Sequence, residues 1–399
     1  MEQTTNKWIN TSVLEWTRKR LGLSYKDVEK LSKKLEKFYK PIEAGELKKW
    51  ELGSSEPELE QLETLSEIFV CPVGYFFLKE QPKESIPLSF RGLSPSKEGK
   101  LSPLSHQTLY RFLELTDWTT MMVEDMGIDW EVKFKIANGS EDIDKIVQRE
   151  RQRLGFSSEI RSRWRDHDEA FSWWRKKIED QGIFCFQMKL DMGDIRGASV
   201  WLDSRYPFIL VNHQDIETAT GRIFTLLHEY AHLLSSREGL VCDFRGAHRG
   251  ENPEPFANRF AARMLLSYDE VEKRLKEIGK SNYKGPWSDN QLDEIRNTLF
   301  VSRDVIAIML QEIGKAPIDF YKKKREQWDK RKPFGRGGGG KRPTKKETTL
   351  REIGYSLARI LSSSGRETSV PLDDLSHVLK MKVEKVPDFL SWARDRVHG

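Results

Sequence analysis

The sequence predicts an α+β chain in which helices dominate and a small sheet is confined to the middle. Three observations predict it. Apolar residues recur at helical spacing through the N-terminal part. Three short β-like runs, GIFCFQMKL (182–190), ASVWLD (198–203) and PFILVN (207–212), stand together between helical segments. A basic, glycine-rich stretch, KKKREQWDKRKPFGRGGGGKRPTKK (322–346), then sets off a last helical piece. At 399 residues the chain is long enough for two or three domains. Its net charge of +5 is small for that length, so it permits contact with a polyanion without arguing for it. Cys71, Cys185 and Cys242 are far apart and form no C-x-x-C pair, which excludes a disulfide framework or a cysteine metal knuckle as the organising device. MEQTTNKWIN has no apolar leader core and no 18-residue apolar run follows, so a cytoplasmic protein with no membrane partner is expected.

Residues 1–84 read as short helices. VLEWTRKRLGLS stops near Gly22, and Ser24 is placed to cap YKDVEKLSKKL. Trp50-Glu51-Leu52-Gly53 reads as a helix end with a glycine stop. This stretch resembles the phage-repressor (Xre-type) helix-turn-helix, which implies binding of double-stranded DNA by a helix starting near Glu43. Lys48 and Lys49 would then meet phosphates, and Glu46 a base edge such as a cytosine amino group. Two departures weaken that likeness, a longer turn through EKFYKP and two carboxylates, Glu43 and Glu46, on the groove side; the alternative is a helix-turn-helix kept as a protein-docking module.

Residues 85–180 read as a helical connector that opens on the extended SIPLSFRGL (85–93) and carries Trp118, Trp130, Trp164, Trp173 and Trp174 as packing residues. Residues 181–330 hold the three β-like runs and then long helices, with Ser302 as an N-cap. Residues 331–346 read as an exposed linker, and 347–399 as a small C-terminal unit. GRGGGGK (335–341) imitates the start of a phosphate-binding loop. Arg342 stands where that loop needs Ser or Thr, and no strand precedes it, so ATP binding is rejected.

The chemistry lies in TLLHEYAHLL (225–234). Residues four apart share a helix face, so the imidazoles of His228 and His232 can reach one metal ion. Glu229 sits beside that ion, where it can take a proton from a water that zinc has acidified. With 8 histidines in the chain, the pattern arises by accident in roughly one or two chains per hundred. The competing reading is a buried helix, for which Leu226, Leu227, Leu233 and Leu234 supply the apolar surface. A catalytic zinc needs a third protein ligand. ENPEPFANRFAARMLLS (251–267) offers Glu254 in the first turn of a helix, with Asn252 as cap and Asn258 four residues on as a group that could orient a ligand. PFILVN or ASVWLD could lend a free strand edge to an extended peptide.

RIFTLLHEYAHLL followed by EPFANRFAARMLLS resembles the ImmA/IrrE family of zincin metallopeptidases, and the WELG turn and FRGL segment are similar to members fused to a repressor-like module. The resemblance covers most of residues 12–330. It implies a zincin-like domain with a small sheet and active-site helices, Zn2+ held by His228, His232 and Glu254, Glu229 as general base, and Asn258 in support. Ser267 stands where such sequences usually carry Pro, and Pro255 directly follows the ligand. The resemblance also implies a protein substrate encoded nearby (a repressor, antitoxin or toxin) in phage-defence, mobile-element or stress control. The alternative is a non-proteolytic DNA-binding regulator or antitoxin-like protein that uses the second domain to bind or sense a partner. Tyr268, His248, His213 and Arg222 are open candidates for an oxyanion donor, and Cys242 for an inhibitory thiolate.

Overall fold

The computed structural model describes residues 8–81, 102–137, 141–191, 195–213, 219–235, 253–297, 299–329, 343–363 and 370–397. The chain forms two compact units, residues 1–87 with 95–114, and residues 115–399 with 88–94.

The first unit is helical: α1 (Thr11–Arg20), α2 (Tyr25–Lys34), α3 (Ala44–Glu51) and α4 (Leu59–Phe69), closed by a 3-10 turn at Val73–Phe77. Asn10 caps α1 by accepting from the Ser12 and Val13 N–H groups. Gly22, at φ +63°, reverses the chain, and Ser24 and Asp27 close a capping box on α2. Leu14, Leu21, Val28, Leu47, Trp50, Leu62, Leu65 and Phe76 form the core. Glu51 ends α3 and ties it back to α1: it accepts from Arg18 at 2.7 and 2.8 Å and from the Tyr25 hydroxyl at 2.9 Å.

The helix α5 (Pro103–Asp125) begins in the first unit and ends in the second. The second unit continues with α6 (Ile143–Leu154), α7 (Ser158–Ser162) and α8 (His167–Glu179). Strands β1 (Phe184–Met188), β2 (Gly197–Leu202) and β3 (Tyr206–Asn212) follow, and then α9 (Ala219–Ser235) and α10 (Pro253–Leu265). Helices α11 (Tyr268–Glu277), α12 (Asp289–Arg296), α13 (Arg303–Glu312) and α14 (Phe320–Asp329) complete the central part. The chain closes with α15 (Lys345–Ser363), α16 (Leu372–Leu379) and α17 (Val386–Val397). No helix among the described residues is long and apolar enough to cross a membrane.

The sheet runs β1-β3-β2, with β3 parallel to β1 and antiparallel to β2. β3 is therefore paired on both sides, which removes PFILVN as a free edge. Among the described residues β2 pairs with β3 alone, so ASVWLD keeps one side without a strand. The β2–β3 turn places Asp203 and Ser204 at φ +50° and +53°, and the Arg205 N–H closes it on the Leu202 carbonyl at 3.0 Å.

Four of the five connector tryptophans pack against other rings, as large apolar side chains do. Trp164, Trp173 and Trp174 cluster around Phe156, and Trp130 stacks on Phe184 of β1 at 4.2 Å. On the outer side of β1 lies α15. It breaks at Gly354, whose φ of +80° only glycine adopts readily. A Cβ there would stand 2.6 Å from both the Cys185 carbonyl and Glu179 Oε1. The break frees the Ser356 N–H to donate to Glu179 Oε2 at 2.8 Å. Glu179 is in turn paired with Arg175 at 2.8 Å, and Arg175 donates to the Cys185 carbonyl.

Candidate active site

Helix α9 is held on three sides before its polar face is considered. Leu226, Leu227, Leu233 and Leu234 are fully buried. The Tyr230 hydroxyl donates to Glu150 Oε2 at 2.7 Å, and Glu150 is flanked by Arg149 Nε at 3.0 Å and Arg153 Nε at 3.2 Å. Burial, and then the Glu150 charge, push the Tyr230 hydroxyl well above its ordinary pKa, so it remains a donor. From the sheet side, alternate residues of β2 meet the helix, as strand geometry requires. A Cβ on Gly197 would lie 2.6 Å from Thr225 Cγ2 and 3.0 Å from Glu229 Cγ. Ser199 Oγ donates to Glu229 Oε2 at 2.8 Å, and Trp201 Nε1 donates to the Leu233 carbonyl at 3.3 Å.

The remaining face carries the two histidines. His232 is buried and His228 is half-buried. Their Nε2 atoms stand 3.2 Å apart, with ring planes inclined at 71°. Two imidazole nitrogens bound to one tetrahedral zinc at 2.0–2.1 Å are about 3.3 Å apart. The donor chemistry also fits, since borderline-soft imidazole suits zinc. Glu254 lies in the first turn of α10, which packs along α9 and brings Phe260 to 6.1 Å from Tyr230. The Glu254 side chain lies outside the described residues, as do Asn252, Cys242 and His248. Among the described residues, accordingly, no three metal-ligating side chains converge. Asn258 is half-buried, one turn on from Glu254.

Two candidates for an oxyanion donor have partners of their own: the Tyr268 hydroxyl donates to Glu312 at 2.9 Å, and Arg222 pairs with Asp168 at 2.7 Å. His213 is half-buried at the end of β3, where its backbone N–H donates to the Met188 carbonyl. Sequence reasoning missed Gly197, Ser199 and Glu150. The first two had a signal: G-A-S-V-W alternates small residues on one strand face just before the motif helix. Glu150 had none, being 80 residues from Tyr230.

In the first unit, Lys48 and Lys49 of α3 are exposed. The Glu46 carboxylate turns back to accept the Glu43 N–H at 3.2 Å, and Glu29 Oε2 accepts the Ala44 N–H at 3.2 Å. Both carboxylates thus satisfy the N-terminus of α3 itself.

With this geometry in hand, comparison with known families gives one result. Residues 178–311 match the M78 peptidase family model, the IrrE N-terminal-like domain. No curated protein and no solved structure gives a match. The IrrE-like segment runs from the end of α8 into α13, so it contains the sheet, both motif histidines, Glu229, Glu254 and Asn258. The first unit and α15 to α17 lie outside it.

Proposed function

We propose that residues 181–330 form a zinc-dependent endopeptidase coupled to a DNA-binding regulatory module at residues 1–84. His228, His232 and Glu254 hold the metal, Glu229 is the general base, and Asn258 steadies Glu254. The observation that carries this reading is the 3.2 Å separation of the two Nε2 atoms beside a buried glutamate, within the IrrE-like segment. Zinc in such a site supplies a Lewis acid for a peptide carbonyl and an acidified water. The chain does the rest. An extended substrate adds to β2 on the side away from β3. Glu229 takes a proton from the attacking water and returns it to the leaving amine. The substrate is a regulatory protein such as a repressor, antitoxin or toxin encoded nearby, and the setting is stress, phage-defence or mobile-element control.

Metal analysis of the purified protein tests the ligand set. Zinc is expected at one equivalent and lost in His228→Ala/His232→Ala; retention in that double variant overturns the assignment. Incubation with the products of neighbouring genes tests the activity. Cleavage by wild type and not by Glu229→Gln supports the peptidase. Cleavage by neither, with DNA binding intact, replaces it with the non-proteolytic regulator. For the first unit, a gel shift on the gene's own promoter should weaken in Lys48→Ala/Lys49→Ala, with the log–log salt slope shallower by about two. An unchanged slope removes these lysines from the DNA contact.

A further inference from the structure

We propose that Ser199 is the positioning residue of Glu229, and that Gly197 is the device that lets it reach. The inference rests on the peptidase reading above. Strand β2 turns Gly197, Ser199 and Trp201 toward α9. At Gly197 the missing Cβ brings strand backbone against the stem of Glu229, with a distance of only 3.0 Å to Cγ from where that Cβ would stand. Two residues on, Ser199 Oγ holds Glu229 Oε2 at 2.8 Å, and the two residues are 1% and 2% exposed. One turn further along the helix, the Trp201 indole fixes the strand to the Leu233 carbonyl. The strand therefore grips the glutamate at its stem and at its head.

A glutamate has three side-chain torsions, and a base free to rotate spends most of its time misdirected. A hydroxyl bond to a carboxylate in a dry environment is charge-assisted and stronger than the same bond in water. The clamp therefore sets the direction in which the carboxylate faces the metal side of α9. Its anchor is the same strand to which the proposed substrate adds. Base and substrate are thus referenced to one piece of backbone, and a small shift of β2 moves both together. Ser199 acts through Glu229 and does not itself touch the reacting atoms.

The test uses the full chain with Co2+ as a visible-absorption probe and a fluorogenic peptide library as the activity probe. Wild type, Ser199→Ala, Ser199→Thr, Glu229→Gln and the Ser199→Ala/Glu229→Gln double variant are compared. All are expected to bind Co2+ with affinities within about threefold of one another, because no ligand is changed. Ser199→Ala should alter the Co2+ bands, Ser199→Thr should restore them, and the alteration should vanish in the Glu229→Gln background. For any peptide cleaved, Ser199→Ala should lower kcat about 10- to 100-fold with KM unchanged, and Ser199→Thr should recover most of the loss. The proposal is overturned if Ser199→Ala leaves bands and kcat as in wild type, if its effect persists without Glu229, or if threonine does not rescue. Altered bands without cleavage of any peptide leave the clamp standing and remove the peptidase reading. Failure to bind Co2+ removes both.

Discussion

The two edges of the small sheet are treated in opposite ways. The β1 edge is finished: α15 lies along it, and a buried Arg175–Glu179 pair joins strand carbonyl, helix and the Ser356 N–H into one network. The β2 edge has no second strand among the described residues, and its side chains are spent on α9 and Glu229. An open edge is a hazard unless something is meant to occupy it. One edge is therefore closed by packing, and the other is the one to which the proposed function assigns the substrate. Arg175 and α15 lie outside the IrrE-like segment while Glu179 and Cys185 lie within it, so the β1 edge is completed in part by this chain's own C-terminal helix.

This division can be broken by substitution. The largest effect is expected at Glu229→Gln, which should cost about 10²- to 10⁴-fold in peptide hydrolysis while zinc content and the unfolding midpoint stay at wild-type values. A coincident loss of stability would mean that the β2 side is structural as well. On the β1 side, Glu179→Ala leaves Arg175 buried without its partner and should destabilise the second unit by about 3–5 kcal/mol in urea unfolding. A change below about 1 kcal/mol would place the pair on a surface rather than in the core. Gly354→Ala meets both a glycine-only φ and two oxygens at 2.6 Å, and should cost about 1–3 kcal/mol. Of similar size is Tyr230→Phe, which deprives the buried Glu150 of one donor but leaves Arg149 and Arg153, for about 1.5–3 kcal/mol. Hydrolysis by the folded fraction of both β1-side variants should stay near wild type, and a deficit there would couple the two edges.

What the sequence revealed and concealed follows the same physics. The motif helix was legible because its leucines and histidines obey one local period. Ser24 and Ser302 were legible as caps because each bonds within its own first turn. The break in α15 was not. LREIGYSLARIL scans as one amphipathic run, and the carboxylate that caps its second half is 177 residues away. Strand order was hidden for a related reason, since three apolar runs do not say which takes the centre. Helix ends at Val70 and Lys380 were hidden too, because these residues hold left-handed φ values of 48° and 49° where glycine is the usual signal. Of the candidate site, the residue types were readable. Their mutual distances, and the grip of β2 on Glu229, were not.

The turn between β2 and β3 carries a practical consequence. Asp203 and Ser204 both hold left-handed backbone that Asn-Gly would adopt with less strain. A hairpin with an unrelaxed tip is a ready target for engineering. Ser204→Gly should relieve that left-handed strain and raise the unfolding midpoint of the second unit, which makes the tip a place to add stability without touching the candidate site.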